Sequence, residues 1–206
     1  MTGHRLLTKS RRAVPLLLTL VIVAAVSREL AGQHLIIGTT TPIPLPWAAV
    51  LPAITAYLTT IAIWSTLPLQ EHLAVRRVDR YDLFYLTAAA AVGVGLVAWA
   101  AQPVTGTITA PGAIRNYLGL LGYTLIGTTF FHTTMGWTIP TTLLTTGLVT
   151  AGAGIDLPPL DWPARHDTDP RSWAAAITIL VAGVATYANP TRRRVHARRA
   201  AHTPPQ

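Results

Sequence analysis

The sequence predicts an all-α, polytopic membrane protein with six transmembrane helices and both termini in the cytoplasm. Three observations lead to this fold class. Six apolar runs have about 20 residues each, the length that a helix needs to cross roughly 30 Å of hydrocarbon. Basic residues collect at alternate ends of these runs, and all six Trp residues lie near a predicted membrane boundary. The apolar fraction of 50% and charged fraction of 12% are also typical of membrane proteins.

The six apolar runs are interpreted as the spans of one membrane domain, residues 13–188, between basic tails at 1–12 and 189–206. In chain order the predicted spans are residues 13–31, 46–67, 83–101, 113–131, 135–155 and 172–188. Amphipathic Trp side chains favour the membrane–water interface. The outer boundary would hold Trp47, Trp99, Trp162 and Trp173, and the inner boundary Trp64 and Trp137.

The basic residues determine the predicted orientation. Of the 16 Lys and Arg residues, 12 lie in the tails or between the second and third spans. They are Arg5, Lys9, Arg11, Arg12, Arg76, Arg77, Arg80, Arg192, Arg193, Arg194, Arg198 and Arg199. The positive-inside rule places these segments in the cytoplasm. We interpret the net charge of +8 as an orientation signal that also favours anionic lipids, and we expect no nucleic-acid partner. Fifteen Arg residues against one Lys, with abundant Ala, suggest a GC-rich bacterial genome, and we therefore predict a multi-pass protein of the bacterial plasma membrane.

Proline and aspartate predict where several elements begin. The Pro-rich residues 39–46 predict an outer turn before the second helix. Pro140, inside the fifth predicted span, is expected to kink that helix. Asp169 followed by Pro170 predicts an N-cap and first turn for the sixth helix.

Composition and motifs argue against an enzyme. The chain has no Cys, which excludes disulfides and thiolate chemistry. Zinc-protease, nucleophile-elbow and phosphate-loop motifs are absent from the sequence. We therefore predict no catalytic residues and no cofactor. The outer loop contains Asp161, His166, Asp167 and Asp169, but scattered loop acids rarely form a site and Asp169 is better explained as a cap, so no metal site is predicted.

The connection between the second and third spans, residues 70–82, is the strongest candidate for a partner contact. It contains both signs of charge at helical spacing and is tethered at both ends by spans. One interpretation is a short helix that docks on a soluble ATPase. The other is a solvated loop whose arginines meet lipid phosphates. The docking residues would be Glu71, His72, Arg76, Arg77, Asp79 and Arg80.

Polar residues inside the predicted spans are the other candidates. A charge within a membrane is costly and usually faces protein or a water-filled cavity. Arg115 opens the fourth span, and Glu29 late in the first span is its expected partner. They could form a gate or substrate contact, or a structural ion pair, and Arg115 could alternatively reach the headgroups. Spans four and five could line a polar pathway or simply pack closely. The gate candidates are Glu29, Arg115, Asn116, Tyr123, Thr142 and Thr146.

The layout resembles the exporter-type ABC transporter permeases. The features that carry this resemblance, in order, are the basic residues 5–12, the connection 70–82 and the outer segment 156–171 with Trp162-Pro163. Small permease-like proteins of actinobacterial type are similar around Ile114-Arg115-Asn116-Tyr117-Leu118-Gly119-Leu120-Leu121-Gly122, followed by Trp137 and Pro140. The resemblance implies a permease subunit of an ATP-driven exporter. Its partners would be membrane lipids, a separate ATP-binding subunit and a second permease subunit, in a homo- or heterodimer.

Two other classes fit the same pattern. A six-span substrate-binding subunit of an energy-coupling vitamin importer has about this size and would bind a small ligand without an ATPase present. A structural or immunity-type membrane protein would transport nothing. The sequence leaves these alternatives open.

Overall fold

The computed structural model describes residues 13–30, 34–37, 43–63, 78–102, 109–131, 135–152, 154–155 and 162–189. Over these residues the chain is predominantly helical, which confirms the all-α prediction at that level. The long helices are α1 (Ala13–Glu29), α2 (Trp47–Ile63), α3 (Val78–Ala101), α4 (Ala110–Phe130), α5 (Thr138–Gly152) and α6 (Pro170–Ala188). Each overlaps one predicted apolar run. The largest difference at a helix start is in α3, which begins at Val78 within the charged connection rather than at Leu83.

A short hairpin precedes α2. Strand β1 (His34–Ile37) pairs antiparallel with β2 (Ile43–Pro46), and Ile37 lies opposite Ile43. The sequence predicted only a Pro-rich turn here, because Pro cannot extend a helix from the preceding segment. Pro44 and Pro46 also lack the N–H that a strand donates to its partner. A two-stranded sheet tolerates such residues, since each strand has an edge that pairs with nothing in the sheet. β2 runs directly into α2 at Trp47.

Helix α4 is the centre of the bundle. It packs against α2, α3, α5 and α6, whereas α1 lies at the periphery on α2 and α3. The core is built around α4 by small and branched apolar side chains that interlock with those of its neighbours. Its buried members on α4 are Ala113, Tyr117, Leu120, Leu121 and Leu125.

Helices α4 and α6 cross at two glycines. A Cβ added at Gly183 would lie 2.5 Å from the carbonyl oxygen of Gly122, and one added at Gly122 would lie 2.5 Å from the carbonyl oxygen of Ile179. The two backbones therefore touch, as expected where small residues allow membrane helices to approach closely. This crossing fixes α6 against the central helix.

The outer faces of the bundle are apolar. Among the described residues, the helical segments Leu83–Ala101 and Pro170–Ala188 are long and apolar enough to cross a membrane, and Val50–Ile61 is a shorter apolar helix. Large apolar side chains point outward from the peripheral helices, including Val14 on α1 and Phe84 on α3, each 68% exposed. Length and composition thus identify two candidate spans.

The kink predicted at Pro140 is wrong. Helix α5 begins at Thr138, so Pro140 lies in the first turn, where an N–H has no intrahelical acceptor to lose. The first backbone bond into the helix is donated by the Thr141 N–H to Trp137. The proline that does lie inside a described helix is Pro52 of α2.

Candidate functional site

The densest polar contact in the described chain joins the start of α4 to the segment before α6. That segment begins with a short 3₁₀ turn, Trp162–Ala164, and continues to the cap of α6. We call this contact the clamp. Its members are Thr109, Arg115, Asn116, Pro163, Arg165, His166 and Asp167.

Arg115 is the centre of the clamp and is 0% exposed. Its Nη1 donates to the carbonyl oxygen of His166 at 2.9 Å, and its Nη2 donates to that of Arg165 at 3.0 Å. Nε and Nη2 also reach Oδ1 of Asn116. The end of a helical turn leaves carbonyls without intrahelical donors, and a planar guanidinium offers five donors in a rigid fork. Arg115 therefore binds the two carbonyls that follow the 3₁₀ turn, and its Nη2 also reaches the carbonyl of Pro163 within the turn at 3.4 Å.

Three further residues on the same face of α4 lie near the 3₁₀ turn. Asn116 is 0% exposed and donates from Nδ2 to the carbonyl oxygen of Pro163 at 2.8 Å. Gly119 lies directly against the indole of Trp162, and Tyr123 lies near the same side chain. Of the two interpretations of this face, close packing is favoured over a polar pathway.

Asp167 binds Thr109, the residue directly before α4. Its Oδ2 accepts hydrogen bonds from the backbone N–H of Thr109, at 2.7 Å, and from the Thr109 hydroxyl. Its backbone carbonyl accepts from Nε1 of Trp173 at 2.8 Å. The side chain is only 7% exposed, and Oδ1 has no hydrogen-bond partner.

Asp169 caps α6, as the sequence predicted. Its carboxylate accepts from the backbone N–H groups of Arg171 and Ser172, each at 3.2 Å, and from the Ser172 hydroxyl. The hydrogen bond from the Ser172 hydroxyl, with the two backbone donors and the charge of Arg165, lowers the pKa of Asp169, and partial desolvation opposes that shift. Asp169 is thus engaged in capping.

The predicted ion pair between Glu29 and Arg115 is wrong. Glu29 is exposed at the end of α1, and the acceptors for Arg115 are carbonyls and an amide. The neighbouring Arg28 instead lies over the Trp99 ring, 4.9 Å from its centroid, and donates to the Trp99 carbonyl at 2.7 Å. The prediction considered only charged partners, whereas backbone oxygens at the end of a turn also satisfy a guanidinium.

The remaining gate candidates do not join the clamp. Thr142 and Thr146 are exposed on α5. Thr150, one turn further, donates its hydroxyl to the carbonyl of Thr146 at 2.9 Å. The structure therefore brings Arg115, Asn116 and Tyr123 together and leaves Glu29 and the α5 threonines apart from them.

Most of the proposed docking residues lie outside the described residues. This holds for Glu71, His72, Arg76 and Arg77, and for the metal candidate Asp161. The backbone of Asp79 and Arg80 belongs to the first turn of α3.

Sequence reasoning missed the role of Asp167, its partner Thr109 and a buried contact between α2 and α4. In that contact the hydroxyls of Thr59 and Tyr117 lie 3.0 Å apart, and both residues are 0% exposed. The Tyr117 ring also lies against Gly93 of α3. The sequence signal for this contact was Asp167 itself. It is an acid two residues before Asp169, and helix capping by Asp169 leaves Asp167 without an assigned role.

The clamp is suited to holding a backbone segment in place. With one exception, Oδ1 of Asp167, the buried side-chain donors and acceptors of the described chain have partners. In the same residues no group of three His, Cys, Asp or Glu side chains is placed to hold a metal ion. Comparison of the chain with protein-family models, with curated proteins and with solved structures found no match.

Proposed function

We propose that this chain is a multi-pass protein of the bacterial plasma membrane, with six spans and both termini in the cytoplasm. It works as the permease subunit of an ATP-driven exporter, together with a separate ATP-binding subunit and a second permease subunit. The observation that carries the coupling step is the start of α3 at Val78, inside the charged connection 70–82.

Exposed threonines support the membrane part of the proposal. Thr19 donates its hydroxyl to the carbonyl of Pro15 at 2.9 Å, and Thr87 donates to that of Leu83 at 2.8 Å. Hydrocarbon offers a hydroxyl no acceptor, so a lipid-facing threonine bonds back to its own helix. These residues share their faces with large exposed apolar side chains such as Val14, Leu18 and Phe84, which suit acyl chains.

The helix ends support the same topology. The start of α1, the end of α2 and the start of α3 adjoin the basic segments of the sequence, so the positive-inside rule places them in the cytoplasm. The clamp and the Arg28–Trp99 contact lie at the opposite helix ends, which become the outer side.

A continuous helix supports coupling through α3. A partner that gripped Asp79 and Arg80 would act on the first turn of a helix that extends to Ala101. Further along α3, Gly93 lies against Tyr117 of α4, which bonds Thr59 of α2. Force on the connection would therefore reach three core helices through packed contacts.

The experiment is co-purification from native membranes of the full-length chain with a tag at Gln206. Wild type is expected to retain a protein identified by mass spectrometry as carrying a phosphate-binding loop, with vesicles showing ATP-dependent export. Replacing Glu71, Arg77 and Arg80 together by Ala should abolish retention, because buried interfacial charges cost about 2–5 kcal/mol when truncated.

The matched control replaces three tail arginines, Arg192, Arg193 and Arg194, by Ala and should retain the ATPase. A reporter active only outside the cell, fused to Gln206, should stay silent in both variants and so exclude a change of topology. Retention of the ATPase by the correctly inserted loop variant would refute docking at this connection.

A second candidate is a membrane protein that transports nothing. It is favoured by the clamp, where the polar groups of α4 bind a loop instead of lining a path. The same co-purification separates the two candidates. If the wild-type protein inserts with a silent reporter but retains no ATP-binding subunit from native membranes, the non-transporting candidate is favoured over the exporter.

A further inference from the structure

We propose that the clamp contains a binding site for one buried water molecule, which bridges Oδ1 of Asp167 to the guanidinium of Arg115. The bridge makes Asp167 the counter-ion of Arg115, the role that the sequence suggested for Glu29. This inference concerns the clamp alone and holds whether or not the chain is a permease.

The first support is the unpartnered oxygen. Asp167 is 7% exposed, and its Oδ2 is engaged by the N–H and hydroxyl of Thr109. Oδ1 is buried and accepts no hydrogen bond. A buried carboxylate oxygen without a donor is strongly disfavoured, so native proteins supply one from protein or from ordered water.

The second support is a spare donor on the neighbouring cation. Nη1 of Arg115 carries two N–H groups, and the acceptor that it contacts is the carbonyl oxygen of His166, the residue directly before Asp167. Asp167 and Asp169 are both acids whose charge acts on Arg115. An unused donor and an unused acceptor of opposite charge are thus left over within the clamp, on Arg115 and on the residue next to its acceptor His166.

Water fits this pair better than the other small ligands. It donates to Oδ1 while accepting from Nη1, and a buried water typically makes about three such bonds. A metal cation would be repelled by the guanidinium of Arg115. A proton on Oδ1 would leave a buried hydroxyl that itself needs an acceptor.

The direct test is an experimental structure of the full-length wild type in lipid nanodiscs at a resolution that shows ordered water. The expected result is one water within hydrogen-bond distance of both Oδ1 of Asp167 and Nη1 of Arg115. A direct contact between the two side chains, an ion in that position, or no density there would overturn the proposal.

A double-mutant cycle tests the coupling in solution. Arg115→Gln and Asp167→Asn should each lower the melting temperature by several degrees, and the double variant should lower it by clearly less than their sum. Arg115→Gln with Asp169→Asn is the matched control and should be additive, because the Asp169 oxygens are engaged by the α6 cap. Equal coupling in both cycles would indicate long-range charge alone and refute the bridge.

Changing the salt in the buffer distinguishes a bound water from a bound cation at Oδ1 of Asp167. Exchanging sodium chloride for choline chloride at equal ionic strength should leave the melting temperature of wild type unchanged. Specific stabilisation by sodium or potassium that disappears in Asp167→Asn would show a cation at Oδ1 and overturn the assignment to water.

Discussion

Two arginines at the same end of the bundle have different environments. Arg28 ends α1 at the periphery, where it stacks on Trp99 and donates to the Trp99 carbonyl and to Gln102. Arg115 lies one turn inside the central helix, is 0% exposed, and donates to carbonyls of the segment before α6. The first is the rim arginine and the second the core arginine.

The difference shows that a similar position along the bundle does not determine what an arginine side chain does. The aliphatic stem of a rim arginine can lie along apolar surface while its head stays near water. A core arginine must find its acceptors in the protein interior, where bulk water does not reach it. Arg115 meets this need by binding the oxygens of a turn, and so fixes the turn.

Replacing the core arginine is expected to have the largest effect. Arg115→Ala removes the guanidinium donors to the carbonyls of Arg165 and His166, and with them the buried charged contact between α4 and the segment before α6. Breaking a buried charged contact costs about 3–5 kcal/mol, whereas Arg28→Ala should cost about 0–1 kcal/mol. Thermal unfolding of the purified protein in one detergent measures both.

Proteolysis gives a local readout of the same comparison. Arg115→Ala should expose the segment 162–169 to a protease added from the outer side of oriented vesicles, while Arg28→Ala should not. Equal destabilisation by the two variants would mean that burial does not distinguish these arginines.

The sequence predicted the helices better than the clamp, for a physical reason. Helix positions follow from apolar runs near the membrane thickness, and α1 to α6 each overlap a predicted run. The cap at Asp169 was also predictable, since its donors are two and three residues away along the chain. The acceptors of Arg115, by contrast, are about 50 residues distant, and backbone carbonyls leave no residue-type signature in a sequence.

The helix crossing beside the core arginine should be the next most sensitive feature. Gly122→Ala places a methyl group 2.5 Å from the carbonyl oxygen of Ile179, so α4 and α6 must separate. Overpacking of this kind costs about 1–3 kcal/mol. The measurement is thermal unfolding, with Gly95→Ala as the control.

Gly95 is a matched position because nothing lies within 4 Å of an added Cβ. Gly95→Ala should be neutral or slightly stabilising, since Ala favours helix over Gly by roughly 0.5–1 kcal/mol. If Gly122→Ala were also neutral, the backbones of α4 and α6 would not be in contact, and the close crossing would be wrong.

A smaller effect is expected from the hydroxyl that joins α4 to α2. Tyr117→Phe keeps the ring beside Gly93 and removes the hydroxyl that contacts Thr59 and lies nearest Gly93. The Thr59 hydroxyl retains its bond to the carbonyl of Thr55 at 2.8 Å, so no donor is orphaned and the cost should be about 0.5–1.5 kcal/mol.

A cycle with Thr59→Val isolates this bond. Each single variant should be mildly destabilising, and the double variant should cost little more than either one. Fully additive costs would show that the two hydroxyls do not interact.

The smallest expected effect is a pH dependence at the cap that follows the clamp. The hydrogen bond from the Ser172 hydroxyl, together with backbone donors, holds the pKa of Asp169 below its ordinary value. A carboxyl whose pKa is lower in the folded state stabilises the fold above its unfolded pKa of about 4. That contribution is lost as pH falls through the lowered folded pKa. Asp169→Asn retains capping ability without titrating. The melting-temperature difference between wild type and Asp169→Asn should therefore be constant near neutral pH and change in favour of the variant below about pH 4. A difference that stays constant down to about pH 2 would show that Asp169 has the same pKa in the folded and unfolded chains.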